Sequence, residues 1–217
     1  MKKYGVLCGP AVIAIVLYFA SMRPVDADPV PATANPDTVL SISGSALLTR
    51  PFAQPIARFT ERVTKKPFGR HITPHDSPIQ PEKFSGYHTG TDFEIFENEG
   101  DSDVPVFSIT DGVIMERRMA TGYGGVVVTS GVIEGKPVTV VYGHVRLLSV
   151  RTQIGDSVHA GDTLAVLGKG YSTETDGERK HLHLSIHRGT IVNIRGYVHS
   201  QAELENWIDP MGVLSRQ

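Results

Sequence analysis

Histidine dominates the chemistry open to this chain of 217 residues, which carries nine imidazoles and a single thiol, Cys8. One cysteine can form neither an intramolecular disulfide nor a thiolate cluster, so any bound metal must rely on imidazole and carboxylate ligands. The richest segment is His181-Leu182-His183-Leu184-Ser185-Ile186-His187. Read as a strand, it turns Leu182, Leu184 and Ile186 toward a core and His181, His183, Ser185 and His187 toward the opposite face. Imidazoles two residues apart on one face lie roughly 7 Å apart, close enough for one to hold a metal while the other addresses its bound water. His88-Thr89-Gly90-Thr91-Asp92 adds an imidazole and a carboxylate four residues apart, with Gly90 permitting a tight bend that lets them converge. Tyr142-Gly143-His144 ends a β-branched run (Val138, Val140, Val141), placing His144 at a strand end that faces a loop. Taken singly, each segment also fits a surface turn or a polar stripe. Together they supply a His2Asp ligand set, one open position for water and two further imidazoles, the composition of a catalytic zinc site rather than a structural one.

A turn-rich chain must position these groups. Gly and Pro number 22 and 14, which argues against a helical bundle. Short runs at Val104 to Thr110, Gly112 to Arg117, Gly125 to Thr129, Val138 to Tyr142, Thr163 to Leu167 and His181 to His187 alternate with turn signals such as Asp111-Gly112, Gly155-Asp156 and Gly161-Asp162. The expected fold class is mainly β, an antiparallel sheet with hairpins, together with an N-terminal hydrophobic helix. Pro55 to Val63 has helical spacing, with Ile56, Phe59 and Val63 on one face, and Gln201 to Trp207 reads as a late helix stopped before Pro210. The spacer from Thr73 to Ser85, with Pro74, Pro78 and Pro81, is expected to form a loop beside the site that narrows its cleft. His71, His75, His159, His187 and His199 read as ordinary surface or supporting residues.

The amino terminus differs in kind. Lys2 and Lys3 precede an uncharged run from Gly5 to Met22, followed by Arg23 and Asp26. This is the pattern of an export signal, and its length lies between that of a cleaved signal peptide and that of a single membrane anchor. Either way the lysines favour the cytoplasmic side, so everything after residue 27 is expected to be extracytoplasmic, in the cell envelope or secreted. The expected organisation is residues 1–27 as signal or anchor, 28–67 as a Pro-rich tether and extension, and 68–217 as the catalytic domain. The formal net charge of the whole chain is −2, so it has no basic surplus to neutralise a phosphate backbone and no nucleic-acid partner is expected.

Taken in order, the spaced motifs resemble the lysostaphin/LytM-type zinc metalloendopeptidases, peptidoglycan endopeptidases whose signature is H-x-x-x-D followed much later by H-x-H. The resemblance runs from Phe68 to about Leu214 and includes Phe68-Gly69-Arg70, Val104-Pro105-Val106, Thr110-Asp111-Gly112-Val113, Gly122-Tyr123-Gly124-Gly125 and Ile154-Gly155-Asp156-Ser157-Val158. It implies Zn2+ bound by His88, Asp92 and His183, with His144 and His181 flanking the bound water as catalytic residues. One would help take the proton of the water and the other stabilise the oxyanion; which does which stays open. It also implies a peptide of bacterial peptidoglycan as substrate. Two departures stand out. Many relatives have a small residue, Gly and Pro before the histidine pair and an aromatic residue and Glu after it, where this chain has Glu178-Arg179-Lys180 and Leu184-Ser185. The alternative reading is a non-catalytic zinc- or wall-binding regulator of another hydrolase, against which all five site positions being present argues.

Overall fold

The sheet that carries the histidine pair is built on alternation. The computed structural model describes residues 52–216; the apolar run at residues 5–22 and most of the expected tether lie outside them. The strands are β1 (His71–Ile72), β2 (Gly86–His88), β3 (Gly90–Glu94), β4 (Pro105–Phe107), β5 (Gly112–Ala120) and β6 (Gly124–Ile133). They continue as β7 (Lys136–Gly143), β8 (Ser157–Val158), β9 (Thr163–Val166), β10 (His181–Arg188), β11 (Tyr197–Val198) and β12 (Trp207–Ile208). Every pairing between them is antiparallel. The largest sheet runs β12-β10-β7-β6-β5-β8, with β3 also paired to β10. β10 is its organising strand, bordered by β7 on one edge and by β3 and then β12 on the other.

One face of this sheet closes the main core. Leu182, Leu184 and Ile186 of β10, Val138, Val140 and Tyr142 of β7, Val127 of β6 and Phe93 of β3 all point into it. Burying each aliphatic side chain contributes about 1.5–3 kcal/mol. The Tyr142 hydroxyl, buried among these groups, accepts a hydrogen bond from the Ile109 amide at 2.9 Å, so its polar end is satisfied. On the opposite face Tyr123, Val126, Val128 and Val141 form a smaller apolar cluster. The histidines stand on that second face.

Three local expectations change. Over residues 55–63 only Phe59–Glu61 is helical, as a single 3-10 turn. The apolar spacing still does its work, because Ile56 is buried in the main core with Phe59 and Val63 packed against it. A longer helix is prevented by Arg58, which sits in the left-handed region at φ 56° and stacks on Phe96. The late helix is shorter than expected, α1 (Gln201–Leu204), and Trp207 enters β12 instead. Pro210 starts α2 (Pro210–Leu214) rather than merely ending a helix: its missing N–H costs nothing in the first turn, and the Asp209 side chain caps the Met211 amide. Residues upstream of Phe68 also belong to the folded unit. The Asp92 amide donates to the Lys66 carbonyl (3.0 Å) and the Glu94 amide to the Arg62 carbonyl (2.9 Å), so residues 62–66 cover the outer edge of β3.

Candidate metal centre

Register places the carboxylate against the imidazole. β3 and β10 pair so that Asp92 lies directly opposite His183, and Glu94 opposite His181. His88 ends β2, and the chain crosses to β3 through Thr89, whose amide donates to the Gly196 carbonyl at 3.0 Å. Gly90 therefore serves a purpose other than the expected bend. A Cβ at Gly90 would fall 2.5 Å from the Leu184 carbonyl oxygen and 2.7 Å from the His183 ring, so the missing side chain lets β3 lie close to β10 and leaves the imidazole its space. On the other flank, Gly143 pairs with His183, and a Cβ there would fall 2.4 Å from the Tyr123 ring.

The outcome is a tight triangle of electron-rich atoms. His183 Nδ1 lies 3.0 Å from Asp92 Oδ1 and 3.1 Å from His88 Nε2, and His88 Nε2 lies 3.3 Å from Asp92 Oδ1. All three residues are buried, none above 3 % exposed. His88 Nδ1–H donates to the Pro67 carbonyl at 3.2 Å, which leaves the lone pair on the Nε2 that faces the triangle. Three such atoms repel one another unless a proton or a cation sits among them. A tetrahedral zinc site with ligand distances of 2.0–2.1 Å would place its ligand atoms about 3.3 Å apart. The residues present fit a metal ion of that kind through His88, Asp92 and His183.

Two further imidazoles stand beside the triangle. His181 Nδ1–H donates to the Arg179 carbonyl at 2.9 Å, and its Nε2 lies 3.3 Å from Asp92 Oδ2. His144 follows β7 in the left-handed region at φ 62°, a conformation that costs a non-glycine residue about 1–2 kcal/mol. That backbone sets its ring centroid 4.2 Å from that of His181 and 5.4 Å from that of Tyr123, with Nδ1 buried and unpartnered. Burial, reinforced by the neighbouring His181, pushes the His144 imidazole well below its ordinary 6.5, and burial pushes His183 down to about 4 against the pull of Asp92. Burial also opposes ionisation of Asp92, yet the charges of His181 and His88 and the hydrogen bonds of His181 and His183 outweigh it and hold the carboxyl well below 3.8.

The site opens into a cleft of about 360 Å³ walled by Phe84, Gly122, Tyr123, Ile194 and Tyr197. Phe84 comes from the loop expected to narrow it, and its ring stacks on Tyr197 at 5.5 Å. That loop is held by a buried ion pair, Lys66 Nζ to Glu82 Oε2 at 2.6 Å, with Ser77 donating to the same oxygen and Lys66 also reaching the Tyr197 hydroxyl at 3.1 Å. The structure thus gathers His88, Asp92, His144, His181 and His183 into one cleft. It also adds residues that the sequence reading did not place in the site: Tyr123, quoted there only within a glycine-rich segment, the Lys66–Glu82 pair, Glu94, and Arg179, which that reading treated only as a departure in the flank. A signal for the last two was present, since 92 and 94 on one strand and 179, 181 and 183 on the other share the parity that puts side chains on one face. His187 keeps the parity but packs away from the cleft, its ring 4.8 Å from Trp207.

Several known proteins are similar to this chain. Residues 86–194 match the model of Peptidase family M23. Endolysin 2638A of Staphylococcus phage 2638A is 31 % identical over 114 residues, 52 % of this chain and 21 % of the endolysin, so the chain spans about a fifth of that relative's length. Among solved structures, the antimicrobial peptidase lysostaphin from Staphylococcus simulans is 21 % identical, with a TM-score of 0.46 over 76 % of this chain and 53 % of that one. LytU is 21 % identical, with a TM-score of 0.49 over 71 % and 86 % of the two chains. With the family match covering half its length and the paired histidine and aspartate motifs inside the matched region, the chain belongs to peptidase family M23.

Proposed function

We propose that this chain is a zinc-dependent endopeptidase that hydrolyses peptide bonds of bacterial peptidoglycan, working outside the cytoplasm. The observation that carries the reading is the buried triangle of His88 Nε2, Asp92 Oδ1 and His183 Nδ1, with edges of 3.0–3.3 Å, at the floor of a cleft that holds two more imidazoles. The exported location rests on Lys2, Lys3 and the apolar run of residues 5–22, which serves as a membrane anchor if it stays uncleaved. The peptidoglycan substrate rests on the family.

His88, Asp92 and His183 would hold the zinc, which when bound would supply polarisation of the scissile carbonyl and a water whose pKa is lowered toward ~7. The chain's own groups complete the proton transfers. Because His181 commits Nδ1–H to the Arg179 carbonyl, Nε2 is the atom that, in the neutral ring, can take a proton from the attacking water. The imidazolium so formed has Asp92 Oδ2 beside it at 3.3 Å, which stabilises the charge. His144, kept neutral by burial, is suited to donate an N–H to the peptide oxygen as negative charge develops there. Phe84, Tyr123 and Tyr197 wall the cleft with aromatic surface, and a peptide that displaced water from it would strengthen both interactions. These assignments give His181 the base role and His144 the oxyanion role.

The test is release of new amino termini from purified peptidoglycan by the full chain, zinc-replete and chelated, with fragments identified by mass spectrometry. Zinc-dependent release supports the proposal and names the bond. Absence of release from walls of several cross-link types by zinc-loaded protein overturns it.

A further inference from the structure

We infer that the buried Arg179–Glu94 pair is a positioning device for the metal carboxylate, locking Asp92 so that it offers one oxygen only to the ion. The inference rests on the reading of His88, Asp92 and His183 as metal ligands and deepens it. It begins with the two oxygens of Asp92, which face different neighbours. Oδ1 completes the triangle with His88 and His183. Oδ2 points away and accepts from Arg179 Nη2 at 2.8 Å, with His181 Nε2 at 3.3 Å on the same atom. A carboxylate whose outer oxygen is already bonded to a guanidinium cannot swing to chelate an ion through both oxygens without breaking that bond.

The guanidinium is itself held in place. Glu94 receives Arg179 Nε at 2.9 and 3.1 Å and Nη2 at 2.6 Å, so three contacts to one carboxylate fix the plane of the fork before it reaches Asp92. Arg179, Glu94 and Asp92 are all buried, and Glu94 has a further cation, Lys65 Nζ, at 3.4 Å. Strand parity explains how one residue serves both carboxylates: Asp92 and Glu94 stand two apart on β3, and Arg179 stands two before His181 on the chain entering β10. Arg179 also orients His181, through its main-chain carbonyl rather than its side chain. Substituting the side chain therefore removes the hold on Asp92 while leaving the hold on His181 in place.

The pair carries no net charge, so removing both members leaves the charge around the ligand set unchanged and exposes the geometric effect alone. The experiment compares the full-length protein with the double variant Arg179→Met/Glu94→Gln and the single variant Arg179→Lys, each titrated with cobalt(II) alone. Affinity is read by chelator competition, coordination by the visible d–d bands, and folding by circular dichroism. Wild type is expected to show the intense bands of a four-coordinate site. In the double variant the freed Oδ2 moves to the ion, coordination expands, the bands weaken, and affinity falls about 10- to 100-fold, the range seen when partners of metal ligands are lost. Arg179→Lys keeps the charge but lacks the fork, so it is expected to show the same weakened bands while melting near wild type. A residue that merely holds the fold together would not change the band intensity of a protein that still melts normally. Folded variants with wild-type bands and affinity within threefold would overturn the inference and leave the metal site standing. A wild-type protein that binds no cobalt would overturn both.

Discussion

Replacing Gly90 by Ala tests whether the close approach of β3 to β10 is what builds the metal site. The added methyl would stand 2.5 Å from the Leu184 carbonyl oxygen and 2.7 Å from Nε2 and Cε1 of His183, with both neighbours fixed in the sheet. Carbon atoms approach carbonyl oxygens to about 3.3 Å at closest, so the strands must part locally by about 0.8 Å. Asp92, two residues along β3, moves with them, and the 3.0 Å edge between Asp92 Oδ1 and His183 Nδ1 opens by a comparable amount. Overpacking of this kind costs about 1–3 kcal/mol, which lowers the melting temperature by about 2–12 °C in a domain of this size and leaves the protein folded. A displacement near 1 Å at a catalytic centre costs about 100-fold in rate. Calorimetry, metal competition and peptide release from peptidoglycan measure the three effects in turn. Gly100→Ala is the control, because nothing lies within 4 Å of a Cβ there, and all three readouts are expected to stay near wild type. A Gly90→Ala protein that binds metal and turns over like wild type would refute the idea that interstrand distance sets the ligand geometry.

Other expectations are more direct. His183→Ala should abolish tight metal binding in equilibrium dialysis, whereas His181→Ala should keep the metal and lose about 10²–10⁴ in kcat, the usual contribution of a general base. Tyr142→Phe strips the acceptor from the buried Ile109 amide and should cost about 1–3 kcal/mol by urea unfolding, with metal affinity unchanged. In chelator, stability should depend on pH with a definite sign. The folded protein holds His144 well below 6.5 and His183 at about 4, so below pH 6.5 the unfolded chain binds more protons than the native one and stability falls as pH drops from about 6.5 toward 4. Asp92, held well below 3.8, contributes stability that is full above that value and is lost progressively as pH falls from it through the folded value. Urea midpoints that rise on acidification across that window would contradict the burial argument.

The parts of this molecule that could be read from sequence are those where periodicity and chemistry coincide. In β10 the alternation of leucine and histidine fixes both the core face and the site face, and the long β-branched runs of β6 and β7 announce their strands. β3 gives no such announcement. Its Gly-Thr-Asp-Phe-Glu is buried at every position, so the usual polar-outside pattern is absent, and its polar side chains are retained by partners that only the fold brings near. The role of Arg179 was only half legible: parity puts it on the site face, but a charged residue beside a turn reads as solvated until its partners, 85 and 87 positions away in sequence, are known. For residues 55–63 the period identified the right apolar face, but a single left-handed residue, Arg58, gave that face a different backbone. Short elements with unusual φ at one position are where side-chain pattern and main-chain path separate.

The cover that residues 62–66 lay over the outer edge of β3 bears on how this protein can be cut into pieces. The amides of Asp92 and Glu94 find their acceptors at Lys66 and Arg62, and Ile56 fills part of the core beneath. A fragment beginning at Phe68, where the recognisable motifs begin, would bare two interior N–H groups on the strand that supplies the carboxylate and would leave a hole the size of an isoleucine side chain. The smallest autonomous unit is therefore longer than its signature. A truncation series advancing through residues 52–66 should lose cobalt binding before it loses the β-sheet signal, because the first strand to loosen is the one that carries Asp92.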